Sequence, residues 1–516
     1  MPRLRRASAA FILLTTLGAG AACGISDDRA TSADTLRVVS PMEIHSLDPG
    51  TSDGIFTRLE VAETLVTSDL TGELVPALAQ SWSAAPDGRA WTFELVQDAT
   101  FHDGTPVTPE AVATALEHAV AEPASPLAEA PIERFVPAGS GLRVELAAPA
   151  ATLPALLTHY STSILAPASY DDQGRVTEVI GTGPYLIDDI ELPASIGVAR
   201  FDDWRGDAPA IERVTFQAVG RAESRALMAI GDQAEVVFGL EPAGRDRVEA
   251  ADGVGMESSL QPRTILLKVN GDHPVLGDVR VRRALSLAID RESMAEAVLR
   301  EPELAATQLL PPSLTAWNQP DLAPLEHDRD AAGDLLAEAG YTPGAGGVLT
   351  KDGEPLRLTL RTYPDRAELP ALATAIQASL AEIGVGIEVE VGNSSEIPAG
   401  HADGTLELGL LARHFALVSD PLVTVADTFA PEGSDWGVLN WQDAGVTDAV
   451  DELLDGAEDT RAEELRATIT ETAQEQLPLI PVAWYRMNAA VSDRVEGFVI
   501  DPLESSWRIS DARFAS

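Results

Sequence analysis

The stretch from Leu74 to Val120, LVPALAQSWSAAPDGRAWTFELVQDATFHDGTPVTPEAVATALEHAV, decides how the chain is read. Trp91, Phe93 and Leu95 alternate with Thr92, Glu94 and Val96, the period of a strand with one face better buried than the other. Pro86-Asp87-Gly88 ahead of it is a turn: Pro presets φ, Asp bonds its own backbone and Gly accepts a positive φ. His102-Asp103-Gly104 makes a second turn. Thr108-Pro109-Glu110 then opens a helix, with Thr as N-cap, Pro at the first position and an acid at the positive end of the dipole. Val112, Leu116, Ala119 and Val120 form its apolar side. Each of these residues has a structural reason, and none points to catalysis.

Three strings inside the stretch follow one another in a distinctive order. They are a P-x-LA-x-SW at Pro76 to Trp82, a DG-x-x-W-x-F-x-L at Asp87 to Leu95, and an F-x-DG-x-P at Phe101 to Pro106. This pattern resembles solute-binding family 5, the extracytoplasmic receptors that feed peptide and nickel ABC importers. Further strings extend the resemblance over roughly residues 35 to 510. Leu47-Asp48-Pro49 follows a first strand at Thr35 to Ser40, and IGTGPYL occupies Ile180 to Leu186. FDDWRG at Phe201 to Gly206 carries Asp203 where the family has an aromatic residue. VRVRRALSLAID runs from Val279 to Asp290, and EQLPLIPVAWY from Glu475 to Tyr485.

The resemblance implies an α/β, two-lobed fold of the class II periplasmic-binding-protein type, with a hinge and an extra subdomain. The first lobe would take residues 34–270 and return with 482–516, with the subdomain inserted at about 75–180. The second would take 271–481. Such folds trap ligand between the lobes by closing.

The residues themselves support α/β. Leu356, Leu358 and Leu360 alternate as a strand, Leu372, Ile376, Leu380 and Ile383 mark a helix closed by Gly384, and Val385 to Val391 alternate again. This is a βαβ unit. Asp278 is a plausible N-cap for a helix whose buried face would use Val281, Leu285, Ala288, Ala295 and Val298. Its arginines are then expected to face solvent. The glycines of Ile180 to Leu186 are expected to allow a tight turn before a strand; a phosphate loop is excluded, since no Gly-Lys-Ser/Thr occurs.

With 81 acidic and 36 basic residues in 516, the net charge is −45. That excludes nucleic acid as a natural partner, since like charges repel. Lysine occurs only at Lys268 and Lys351, so Arg carries the positive charge. Arg3, Arg5 and Arg6 precede an apolar run from Ala7 to Ala22, too short for a typical spanning helix of about 20 residues and suited to a signal peptide at 1–22. The run ends at Cys23, the one cysteine of the chain, followed by a polar linker to residue 33. The site resembles a lipobox, with Gly20 where Leu is usual. Cys23 is therefore expected to carry lipid and to anchor a protein that lies outside the cell membrane.

Function is expected in the cleft between lobes. Polar and aromatic residues on loops at its mouth are the candidates: Glu43, His45, His159, Tyr160, Asn270, Arg413, His414, Phe415 and Asp420. In the resembled family, peptide binders place an acid before a D-P dipeptide to hold the ligand's amino group; here Leu417, Val418 and Ser419 precede Asp420-Pro421. Arg413 and Phe415 keep something of the nickel-chelate binders' pattern. His45, His159 and His414 suit nickel chemically, but no two lie at a local ligand spacing, so no metal set is assigned. G-x-S-x-G, H-E-x-x-H and S-x-x-K motifs are missing, and no enzyme activity or cofactor is expected. The expectation is a monomeric, lipid-anchored receptor that hands oligopeptides to an ABC permease and its ATPase. A nickel or metal-chelate receptor is the alternative, as is a peptide-sensing lipoprotein without transport.

Overall fold

The computed structural model describes residues 35–515 apart from Ala124, Asp365 and Ala367. The expected signal peptide, Cys23 and the linker lie outside the described residues.

One ten-stranded mixed sheet runs through the molecule. Its strands, in chain order, are β1 Thr35–Ser40, β2 Tyr185–Glu191, β3 Ser195–Arg200, β4 Arg213–Ala218, β5 Val236–Phe238, β6 Val254–Val269, β7 Arg357–Thr362, β8 Gly386–Val391, β9 Leu408–His414 and β10 Leu479–Ser492. In space they lie in the order β8-β7-β9-β6-β10-β5-β1-β4-β3-β2. β1 is parallel to β4 and β5, and β7 is parallel to β8 and β9. The βαβ reading holds: the helix Glu368–Glu382 joins β7 to β8 and buries Leu369, Leu372, Ala373, Ile376 and Leu380, one face at helical spacing.

β6 and β10 pair antiparallel along their length and belong to both halves of the molecule. Their register breaks in the middle. Leu260 faces Arg486 and Thr264 faces Trp484, so Gln261, Pro262 and Arg263 stand opposite Tyr485 alone. A bulge of this kind bends the pair, and Pro262 has no N–H to give to the ladder. Side-chain packing changes over at the bulge. Residues from Leu36 to Phe238 and from Ala489 to Ala512 build one cluster, whereas Ile265–Val269 and Leu479–Ala483 already join a second cluster that takes in Val281 to Ala473. A third cluster, from Leu65 to Ala166, centres on the strands Ala79–Ala84, Ala90–Leu95, Ile132–Ala138 and Gly141–Leu146 with the helix Pro109–Ala121 against them. Thr108 caps that helix, its hydroxyl accepting the Ala111 amide at 3.2 Å.

Two local expectations are corrected. The helix opened by Asp278 ends at Ala288; Asp290 caps a new turn, Arg291–Met294, so Ala295 and Val298 do not continue the first helix. Its arginines do not all face solvent either. The Arg282 guanidinium is buried and donates to the carbonyls of Gln476 at 2.7 Å, Leu276 at 2.9 Å and Gly277 at 3.1 Å. Arg291 is buried in the same way, donating to Pro481 O, Ser286 O and Ser286 Oγ at 2.8 to 3.0 Å. Carbonyl oxygens that would otherwise be orphaned in the core are the physical reason. Likewise Gly181 and Gly183 are needed for close approach rather than for a turn. Neither has a positive φ, and a Cβ on either would fall on the carbonyl oxygen of Val61 or Glu60.

Candidate functional site

A cavity of about 790 Å³ opens between the two halves beside the bulge. Its wall is made where parallel strands end. Ser40, Pro41 and Met42 follow from β1, Gly239 and Leu240 from β5, Tyr363 and Arg366 from β7, Ser394 from β8 and Leu417 from β9. Ligands of open α/β sheets bind at such carboxyl ends, because the chain there leaves the sheet in loops. The back wall is the bulge itself, Arg263 and Tyr485. Trp436 closes one side, its ring edge-on to Tyr363 at 6.2 Å. Across from it, Phe238 stacks on Trp507 at 5.5 Å.

The cavity is rich in cation within a strongly acidic chain. Arg58, Arg263, Arg366 and Arg486 line it, with Asp53, Asp501 and Glu504 as the acids. Most of these charges are already engaged. Glu504 Oε1 sits 2.8 Å from Arg263 Nη1, and Oε2 3.6 Å from Arg58 Nη2. Burial would raise the Glu504 carboxyl, but Arg263, Arg58 and Arg366 hold it down to about 2. Asp501 accepts the amides of Leu503, Ser505 and Ser506. Arg486 pairs with Glu301 at 2.6 Å.

Arg366 and Asp53 differ. Arg366 rests over the Tyr485 ring at 5.0 Å, and Arg263 lies 5.2 Å from the same ring. Among the described residues it has no carboxylate within 4.0 Å, and neither does Asp53 have a cation. Asp53 is presented by a sharp turn: its own φ is 52° and that of Gly54 is 74°, just before the helix Ile55–Arg58.

The cleft is bridged at its mouth. Ser419, from the second half, donates its amide to Thr158 Oγ1 at 3.3 Å, and the two hydroxyls lie 3.1 Å apart. Val418 beside it is buried in the cluster of residues 65 to 166.

The nine residues expected at the cleft fall in different places. Tyr160 lines the cavity and packs on Gly54. His414 lies behind the wall, fully buried, its Nε2 3.9 Å from Glu504; burial and Arg263 hold its imidazole neutral down to about 3. Phe415 is 0% exposed in the second core. Arg413 is turned onto Asp427 and Thr428. Asp420 caps the helix Pro421–Thr428, accepting the Leu422 amide at 2.9 Å. Asn270 bonds Leu406 O and Asn440. His159 is buried against Ser161 and Tyr160, with burial lowering its pKa to about 4. Glu43 and His45 are exposed and 3.4 Å apart, away from the cavity lining. The three histidines do not meet. Among the described residues no three His, Cys, Asp or Glu side chains converge as a metal set.

Arg366, Tyr363, Trp436, Tyr485 and Asp53 were not among the expected residues. A signal for two of them was present: Tyr363 and Arg366 follow the carboxyl end of the first strand of the βαβ unit, where this architecture places ligands.

Comparison with known proteins bears on family and fold. The model of the bacterial extracellular solute-binding proteins, family 5 Middle, matches residues 73–435. The nickel-binding periplasmic protein of Escherichia coli K12 is 25% identical over 500 residues, covering 92% of this chain and 94% of that one. A probable di/tripeptide-binding protein 5 of Pseudomonas aeruginosa is 25% identical over 471 residues, 84% of this chain and 85% of that one. Among solved structures, NikA from Brucella suis in complex with Fe(III)-EDTA superposes with a TM-score of 0.86 at 24% identity, covering 93% of this chain and all of that one.

Proposed function

Because the chain belongs to the bacterial extracellular solute-binding proteins of family 5, we propose that it is the substrate-binding component of an ABC importer and captures oligopeptides outside the membrane. The observation that carries the ligand class is the pair of charges the cavity leaves open. Asp53 stands on the first half and Arg366 on the second, and both line one cavity. An oligopeptide has an ammonium at one end and a carboxylate at the other, so it needs one partner of each sign. The aromatic walls take its side chains without demanding one sequence. A ligand that touches both halves favours the closed arrangement by its differential contacts, and the closed form is what a permease and its ATPase would recognise. No catalytic step belongs to this reading. The leader would be removed before Cys23, and lipid on Cys23 would hold a monomeric receptor at the outer face of the membrane.

A second reading, a nickel or other metal chelate, has two observations in its favour. One is the relative named for nickel. The other is the apolar run Leu417-Val418 where the resembled peptide binders carry an acid. With no converging metal ligands among the described residues, the metal would arrive inside a carboxylate chelator whose free oxygens meet Arg366.

The test is mass spectrometry of the molecules released by denaturing the purified mature protein, with metal analysis of the same sample. Near-stoichiometric peptides support the main reading. Nickel with a small chelator and no peptide replaces it with the second.

A further inference from the structure

Of the two lysines in the chain, one is entirely inside it. Lys268, next to the end of β6, is 0% exposed. Its Nζ donates to the carbonyl oxygens of Ser434 at 2.6 Å and Asp435 at 2.8 Å, and lies 2.7 Å from Nδ1 of His401. Ser434 and Asp435 immediately precede Trp436, the residue that closes one side of the cavity. A lysine in such a place needs a reason. Burying an ammonium is costly, and a methionine would fill similar space without that cost.

The loop around Trp436 supplies the reason. Its own bonds fix its shape: Gly433 N to Ala430 O at 2.8 Å, Gly437 N to Ser434 O at 3.1 Å and Ser434 N to Val438 O at 3.2 Å. One backbone bond, Val438 N to Thr428 O at 2.9 Å, ties it to the helix before it. Its far end is tied to the end of β6 by Gly271 N to Leu439 O at 2.9 Å and by Asn440 Nδ2 to Asn270 at 2.9 Å, and the side chain of Lys268 ties the part beside Trp436 to β6. The His401 ring packs on the loop as well: Gly433 has a φ of 80°, and a Cβ there would meet Cε1 of His401 at 3.1 Å.

We propose that Lys268, braced by His401, is the positioning residue for Trp436: by holding the two carbonyls before it, Lys268 sets where the indole stands in the binding cavity. The arrangement is satisfied in more than one protonation state. An ammonium donates to both carbonyls and to the bare Nδ1. A neutral amine donates to both carbonyls and accepts from a protonated Nδ1. Burial lowers the Lys268 pKa to about 7, so both forms occur near neutral pH and the clasp holds through that range. The importance of Trp436 for binding rests on the cavity being the ligand site; the clasp itself does not.

The experiment uses Lys268→Met, His401→Leu and His401→Gln in the purified mature protein, without added ligand. Amide hydrogen exchange is followed by mass spectrometry in peptides covering residues 430–440 and, as a reference, 357–391. Acrylamide quenching of Trp436 is read as the difference between each protein and its Trp436→Phe partner. Lys268→Met and His401→Leu are expected to exchange at least tenfold faster in 430–440, with the reference unchanged and Trp436 quenched about twofold more. His401→Gln keeps an acceptor for Nζ and is expected to restore wild-type values. His401→Leu removes the brace at a partly exposed position, so the test survives if Lys268→Met fails to fold. Unchanged loop exchange and quenching in His401→Leu, or faster exchange in loop and reference alike, overturns the proposal. Neither readout involves ligand, so failure of the peptide reading would leave a different trace.

Discussion

The segment Arg413–Asp420 and the side chain of Arg366 lie beside the same cleft, and their polar groups are used in opposite ways. In the first, Arg413 is paired with Asp427, Phe415 is sealed in the core and Asp420 caps a helix. His414 is buried against the charges behind the wall. Arg366, by contrast, faces the cavity with no carboxylate within 4.0 Å among the described residues, while Tyr363, which also lines it, is buried in the second core and accepts the Ala412 amide at its hydroxyl. The difference is availability. A polar group whose bonding capacity is met within the protein gains little from a ligand. Arg366, held over Tyr485 and drawn to Glu504 and Glu368 only at longer range, has its N–H donors still to offer.

The contrast can be broken by mutation. The largest effect is expected at the buried end of the first segment. Phe415→Ala removes a fully buried ring and should cost about 3–5 kcal/mol of stability, read as a lower urea midpoint. A loss of ligand affinity with stability unchanged would place Phe415 at the ligand instead.

The next effect is one of pH. His414 and His159 stay neutral in the folded protein down to about 3 and about 4, whereas an unfolded imidazole takes up its proton near 6.5. Between those values the unfolded chain binds more protons, so stability falls as pH drops below 6.5. His159→Phe should remove about 3 kcal/mol of that dependence between pH 6.5 and 4. A urea midpoint whose slope with pH is the same in the variant would contradict the buried, neutral assignment.

The smallest effect is expected for Arg413→Gln. Its partner Asp427 is half exposed, so the loss should be about 1 kcal/mol, with ligand occupancy unaltered.

The sequence revealed local regularities and hid tertiary ones. The βαβ unit and the Thr108 cap were legible because periodicity and capping act within a few residues. The burial of Arg282 was not. One apolar stripe suggests one buried face, but the carbonyl of Gln476, almost two hundred residues later in the chain, reaches the polar side. Gly181 and Gly183 read as a turn because sequence alone does not show the Glu60–Val61 backbone lying against them. At the site, Tyr160 was legible as an aromatic on a loop. Asp53, Arg366, Trp436 and Tyr485 share no spacing that would join them. They meet because the turn before the helix Ile55–Arg58, the loop after β7, the loop after the helix Pro421–Thr428 and the β6–β10 bulge converge, and only the position of Arg366 after a βαβ strand could have pointed to it. The net charge carries no information about the cleft: an acidic chain holds an arginine-lined one.

Capture of a ligand by both halves rests on Asp53 and Arg366, the open charges of the cavity. Native mass spectrometry of the purified protein tests this most directly, by comparing the occupancy of co-purified ligand in wild type, Arg366→Gln, Asp53→Asn and Arg413→Gln. A charged hydrogen bond of about 1.5–3 kcal/mol corresponds to roughly a tenfold to hundredfold loss of affinity. Wild type and Arg413→Gln are expected to carry ligand while Arg366→Gln and Asp53→Asn are depleted to that degree. Full occupancy in the latter two, with loss in Arg413→Gln, would contradict this and move the ligand to the segment Arg413–Asp420.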